Sequence, residues 1–137
     1  TATPVIYTLS LHDALPISWG TGGHVGSSMD KYPEQRDKFW AILDKYKVKA
    51  YFAGHEHNYT RMVVDKAINP LWKNQVTHIV TGGAGAPWYP PDLTVPYAGS
   101  IRAASAEEHY VLVTLKHKRI SVKVKNQFGE VLDSFDL

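Results

Sequence analysis

Cysteine is missing altogether, and methionine occurs only twice. No disulfide can form, and no thiolate can bind a metal. A metal here must use His, Asp, Glu or Asn, which suits zinc, iron or manganese. The absence of cysteine fits any redox compartment. Missing too is any apolar run of bilayer length, so no segment reads as a membrane span. Charge of one sign is also lacking. The 15 Lys and Arg against 13 Asp and Glu leave a formal +2, too balanced to point to nucleic acid. There is no internal repeat. What remains is 44% hydrophobic and 20% charged over 137 residues, the composition of one ordinary globular domain.

The first seventeen residues stand apart. Thr1 to Ile17 holds no Lys or Arg, and His12-Asp13 interrupts its apolar run, so it lacks what a signal peptide needs. It is similar instead to the in-frame translation of a common short-read sequencing adapter. Ile6 to Ile17 match residue for residue, as do Thr1, Ala2 and Thr3, while Pro4 and Val5 do not. Residues 1–17 are therefore expected to be an adapter-derived, disordered segment, and residues 18–137 part of one domain. His12 and Asp13 drop out of the catalytic candidates.

Beyond that stretch, Trp19 to Met29 is rich in Gly and Ser and reads as a loop. Pro33 to Lys47 reads as a helix. Pro33 suits its first turn, Glu34 and Asp37 suit its positive end, and Phe39, Ile42, Leu43 and Tyr46 recur at helical spacing beside Trp40. Val48 to Ala53 reads as a strand, and Thr77 to Thr81 as a second. Gly82 to Ala86 lacks the Gly-Lys-Ser/Thr ending of a phosphate loop and reads as a tight strand exit. Trp88 to Ser105, with Pro90, Pro91 and Pro96, reads as a long loop; Trp88, Tyr89 and Tyr97 either line a substrate wall or pack the loop. Tyr110 to Leu115, Ile120 to Lys125 and Val131 to Leu137 read as an antiparallel meander, with Lys116 to Arg119 a hairpin connection. The fold class is thus α/β (α+β).

Chemistry concentrates at Gly54-His55-Glu56-His57-Asn58-Tyr59-Thr60-Arg61, which follows the strand. Two imidazoles one residue apart on a glycine turn can reach one cavity. Seven histidines in this chain produce such a spacing by chance about a third of the time, so spacing alone is weak. Tyr59 stands where a helical zinc-protease motif needs His. On residues alone, metal binding and a surface turn that happens to hold two histidines stand level. His24 either contacts substrate or is a solvated loop residue. His78, His109 and His117 read as sheet-face or surface residues.

The segment Tyr51 to Arg61 resembles the last motif, GHxH, of the calcineurin-like metallophosphoesterases, which include the purple acid phosphatases. Gly23 to Asp30 and Arg36 to Trp40 are similar to the segment preceding that motif. His78 to Pro87 is similar to the strand and glycine loop that follow it. Coverage is essentially Ser18 to Leu137. The resemblance implies the C-terminal part of a four-layer αββα sandwich ending in an antiparallel β meander. It implies hydrolysis of phosphate mono- or diesters at two metal ions (Fe, Zn or Mn), which activate a bridging hydroxide. By motif, His55 binds one metal and His57 the other. Glu56 points away, and Asn58 to Arg61 support the turn. Export to a periplasmic or extracellular space is slightly favoured.

The departures from the family matter as much. DxH, GDxx and GNH(D/E), which supply the bridging and other metal ligands, occur nowhere in the chain. A further His-x-Pro ligand is due about four residues before Trp19, inside the adapter-like stretch. The resemblance therefore leaves His55 and His57 as the assignable metal ligands and His24 as a substrate-side candidate. The chain as written is expected to bind metal weakly or not at all, to be inactive, and to expose strand edges. The alternative is a non-catalytic β-rich binding module whose HxH is incidental or holds one structural ion. A single-zinc peptidase site lacks a carboxylate at ligand spacing.

Overall fold

The computed structural model describes residues 17–137. The adapter-like stretch lies outside them except for Ile17. That residue is buried, and its carbonyl accepts the Met29 N–H at 2.9 Å. After a one-turn 3-10 helix, Met29–Lys31, comes α1, Pro33–Lys45, the one α-helix among the described residues. Pro33 occupies its first turn, where a missing N–H costs nothing. The helix ends two residues before the predicted Lys47, which takes a left-handed φ of 54° that no helix can continue. Ile42 and Tyr46, expected on the apolar stripe, are 55% and 69% exposed. The packed face is Phe39, Trp40 and Leu43.

Among the described residues, seven strands make two sheets. Sheet A holds β1 (Ala50–Ala53), β2 (Tyr59–Val64), β3 (Val76–Thr81) and β4 (Ile101–Ser105), in the order β1-β3-β2-β4. β1 runs parallel to β3, and the other pairs are antiparallel. Sheet B is the meander β5 (His109–Lys116), β6 (Arg119–Asn126) and β7 (Val131–Asp136), joined in sequence order. The class is mixed α+β, as the sequence implied. Two strands were not anticipated. β2 grows directly out of the histidine turn, and β4 closes the stretch assigned to a long loop.

Alternation sets the layers. On one face of sheet A, Tyr51, Ala53, Met62, Val64 and Val76 pack with Trp19, Trp40 and Trp72 and bury the inner side of α1. On the other face, Tyr59, Ile79, Phe52 and Ala103 meet Val111, Val124, Leu132 and Phe135 of sheet B. The order is therefore helix, sheet A, sheet B. Each fully buried aromatic or aliphatic side chain in these clusters contributes roughly 1.5–3 kcal/mol of transfer free energy. Among the described residues, β1, β4, β5 and β7 each have a strand neighbour on one side only. Unpaired edges of this kind favour association with other chains.

One ion pair ties the sheets together. Arg61 of β2 donates to both carboxylate oxygens of Asp133 on β7, Nε at 2.6 Å and the terminal nitrogen at 3.1 Å. The Tyr59 hydroxyl donates to the same carboxylate at 2.7 Å, and the Arg61 guanidinium lies 4.3 Å from the Phe135 ring centre. Burial pushes the Asp133 carboxyl up, but the Arg61 and Tyr59 hydrogen bonds outweigh it and hold the group below its usual range.

Candidate metal centre

Because β1 and β3 are parallel, their C-terminal ends lie side by side, and both leave through glycine, Gly54 and Gly82. Ligand sites in sheets with parallel strands form at such ends. The two exits touch. A Cβ on Gly82 would overlap the Glu56 carbonyl, so only glycine lets the second loop lie on the histidine turn. Gly22 serves the same purpose from a third loop, since its Cβ would stand 2.6 Å from Glu56 Oε1 and 2.9 Å from Asn58 Nδ2.

His55 is exposed and sits at φ 69°, in the left-handed region. A non-glycine residue there is strained by about 1–2 kcal/mol, a pattern that clusters at functional sites. Half-buried His57 is held on two sides. Its Nδ1 lies 2.9 Å from the Pro87 carbonyl, its own carbonyl accepts the Tyr89 N–H at 3.2 Å, and its ring stacks on Tyr89 at 5.1 Å. A carbonyl only accepts, so Nδ1 carries the proton and neutral His57 presents a bare Nε2. Metal-binding imidazoles are oriented in this way by a hydrogen bond on the other nitrogen.

His24 belongs to the same place. Its ring lies 4.1 Å from that of His55, tilted by 38°, with Tyr89 edge-on at 6.2 Å. Glu56 turns into the interior and is wholly buried beneath the Trp19–Gly26 loop. Its Oε2 accepts the His24 backbone N–H at 3.2 Å and stands 3.4 Å from His24 Nδ1. Next to it, Thr21, Thr60 and Asn58 form a buried hydroxyl–hydroxyl–amide chain, with contacts of 2.9 and 3.2 Å. Tyr59 and Arg61 do more than support the turn, since they hold the Asp133 carboxylate across the sandwich. The sequence carries no local signal for these long-range partners of Glu56 and Arg61.

The remaining candidates fall elsewhere. His78 is buried against Tyr51, Trp19 and Trp40, and burial pulls its pKa down to about 3. His109 bridges the sheets: Nδ1–H donates to the Glu107 carbonyl at 2.8 Å, and Nε2 accepts from the Thr81 hydroxyl at 3.0 Å. His117 occupies the hairpin turn at φ 55°. Tyr97 packs on Trp19 and donates to the Gly20 carbonyl, so it belongs to the packing rather than to a wall. Tyr89 does border the histidines, with Trp88 exposed beside it.

His57 is thus oriented as a ligand should be, and His55 lies on the same turn. Among the described residues, however, no group of three or more His, Asp or Glu side chains is placed to hold a metal ion. The donor set present here does not make a complete metal site, and no catalytic step follows from it alone. No protein-family profile matches the chain, and neither does any curated protein at a significant level.

Proposed function

We propose that residues 18–137 are the C-terminal part of a calcineurin-like metallophosphoesterase whose intact form hydrolyses phosphate mono- or diesters with two metal ions. The observation that carries this reading is the turn beyond β1. Two imidazoles stand there one residue apart, and the second has its Nδ1 tied to a backbone carbonyl and its Nε2 free. The helix–sheet–sheet order is compatible with three layers of the four-layer αββα sandwich. Residues 1–17 fit the reading as the adapter-derived replacement of the segment that carries the His-x-Pro ligand.

Two neutral imidazoles without a carboxylate hold a divalent ion weakly. The chain as written should therefore show no turnover of a chromogenic phosphate ester with manganese, zinc or iron. Turnover that disappears in His55→Ala would contradict that expectation. The parent assignment is tested by recovering the uninterrupted gene. DxH, GDxx and GNH(D/E) motifs upstream support the enzyme, and their absence favours a non-catalytic β-rich module.

A further inference from the structure

Glu56 is a carboxylate with no exposed surface, placed between two candidate ligands. Its Oε2 has a partner in the His24 backbone N–H. Its Oε1 has none, and neither does His24 Nδ1, although both atoms are buried. A buried polar atom left without a partner costs stability. The two residues already approach to 3.4 Å, Nδ1 to Oε2, outside hydrogen-bond alignment. A small rotation of the imidazole or the carboxylate joins them and removes the cost to the ring nitrogen. An anchoring role for the loop explains the Oε2 contact alone and leaves Nδ1 bare. On its other side His24 is confined by the His55 ring at 4.1 Å. Gly22 keeps the space above Oε1 free of any side chain of its own.

We infer that Glu56 is a positioning residue for His24. It holds the His24 proton on Nδ1 and leaves Nε2 open beside His55, to accept a hydrogen bond from water or a substrate hydroxyl. A carboxylate only accepts, so the nitrogen that faces it must be the one bearing hydrogen. The arrangement repeats, with a carboxylate, what the Pro87 carbonyl does for His57. Oriented imidazoles of this type depend on the group behind them for tautomer and direction. The inference rests on the proposed function only in taking His55 as the centre of the site.

The test is a long-range proton–nitrogen spectrum of the imidazoles in the full 137-residue chain. It is recorded at a fixed pH of about 8, where an ordinary histidine is neutral. His24→Gln assigns the His24 signals. The expected wild-type result is His24 with its proton on Nδ1. Glu56→Leu, which leaves no acceptor behind the ring, should move the tautomer ratio several-fold toward the Nε2–H form that an unguided imidazole favours. The signals of His78 and His109 should stay in place and report an intact fold. A wild-type His24 protonated on Nε2 overturns the inference, as does a folded Glu56→Leu protein with an unchanged tautomer. If Glu56→Leu does not fold, the wild-type spectrum decides alone. Neither measurement uses metal or ester, so this inference and the phosphoesterase reading fail separately.

Discussion

His55 is the residue at which backbone and chemistry meet. Its left-handed φ turns the chain straight out of β1, and the strain is tolerated because the glycine loop after β3 packs against the same turn. That packing depends on Gly82. A methyl group there must displace the Glu56 carbonyl, which is backbone and cannot swing aside. Gly82→Ala should destabilise the protein by about 3 kcal/mol, the upper range for overpacking. Urea unfolding would show it as a lower midpoint at an unchanged slope. Residue identity was legible here, because Gly-His-x-His after an apolar run announces a turn with two imidazoles. The inward direction of Glu56 was not legible. It depends on His24, thirty-two residues earlier, and on a Gly22 contact that leaves no periodic trace.

Elements were read best where one face is wet. β6 alternates because sheet B has one face on sheet A and one toward solvent, and the meander was visible from that period together with the β-branched residues of β5. β2 was missed for the converse reason. Five of its six residues are buried, so Tyr59–Val64 shows no alternation, and the histidine motif drew its first residues into the turn. β4 is short and carries two alanines at the end of a proline-rich stretch, which hides it. The coupling of β2 to β7 can be tested directly. Asp133→Ala leaves the Arg61 guanidinium and the Tyr59 hydroxyl without their shared acceptor. For a pair that keeps some exposure, the expected loss is about 2–3 kcal/mol. The stabilisation from the lowered Asp133 pKa is present above its unfolded value of 3.8 and is lost as pH falls through the folded value. The mutational penalty should therefore shrink in acid, as comparison of the two proteins across pH would show.

Across the whole molecule, acid should act first through histidines. His78 is buried in the helix-side core and His109 at the seam between the sheets, and burial lowers both pKa values. The unfolded chain therefore takes up protons that the folded chain refuses. Stability is full above about 6.5 and falls as pH drops toward the folded values, by about 1.4 kcal/mol per pH unit for each histidine in its window. His78→Leu should flatten that decline in a thermal melt series, and an unchanged slope would show that His78 does not drive it. The same scale separates what the chain contains from what its chemistry needs. The sequence pointed to two candidate ligands and a family resemblance, and the geometry adds an oriented His57 and a His24–Glu56 pair beside His55. It adds no third ligand among the described residues. The central claim is that the His55–His57 turn is a metal-binding element taken from a larger site. Zinc titration of the labelled chain, followed at each imidazole, tests it most directly. The account predicts weak binding in which the His55 and His57 signals respond together, His57 through Nε2 with Nδ1 still protonated on the Pro87 carbonyl, and loss of the response in His57→Ala. A response confined to other histidines such as His117, or one that persists unchanged in His57→Ala, would contradict it.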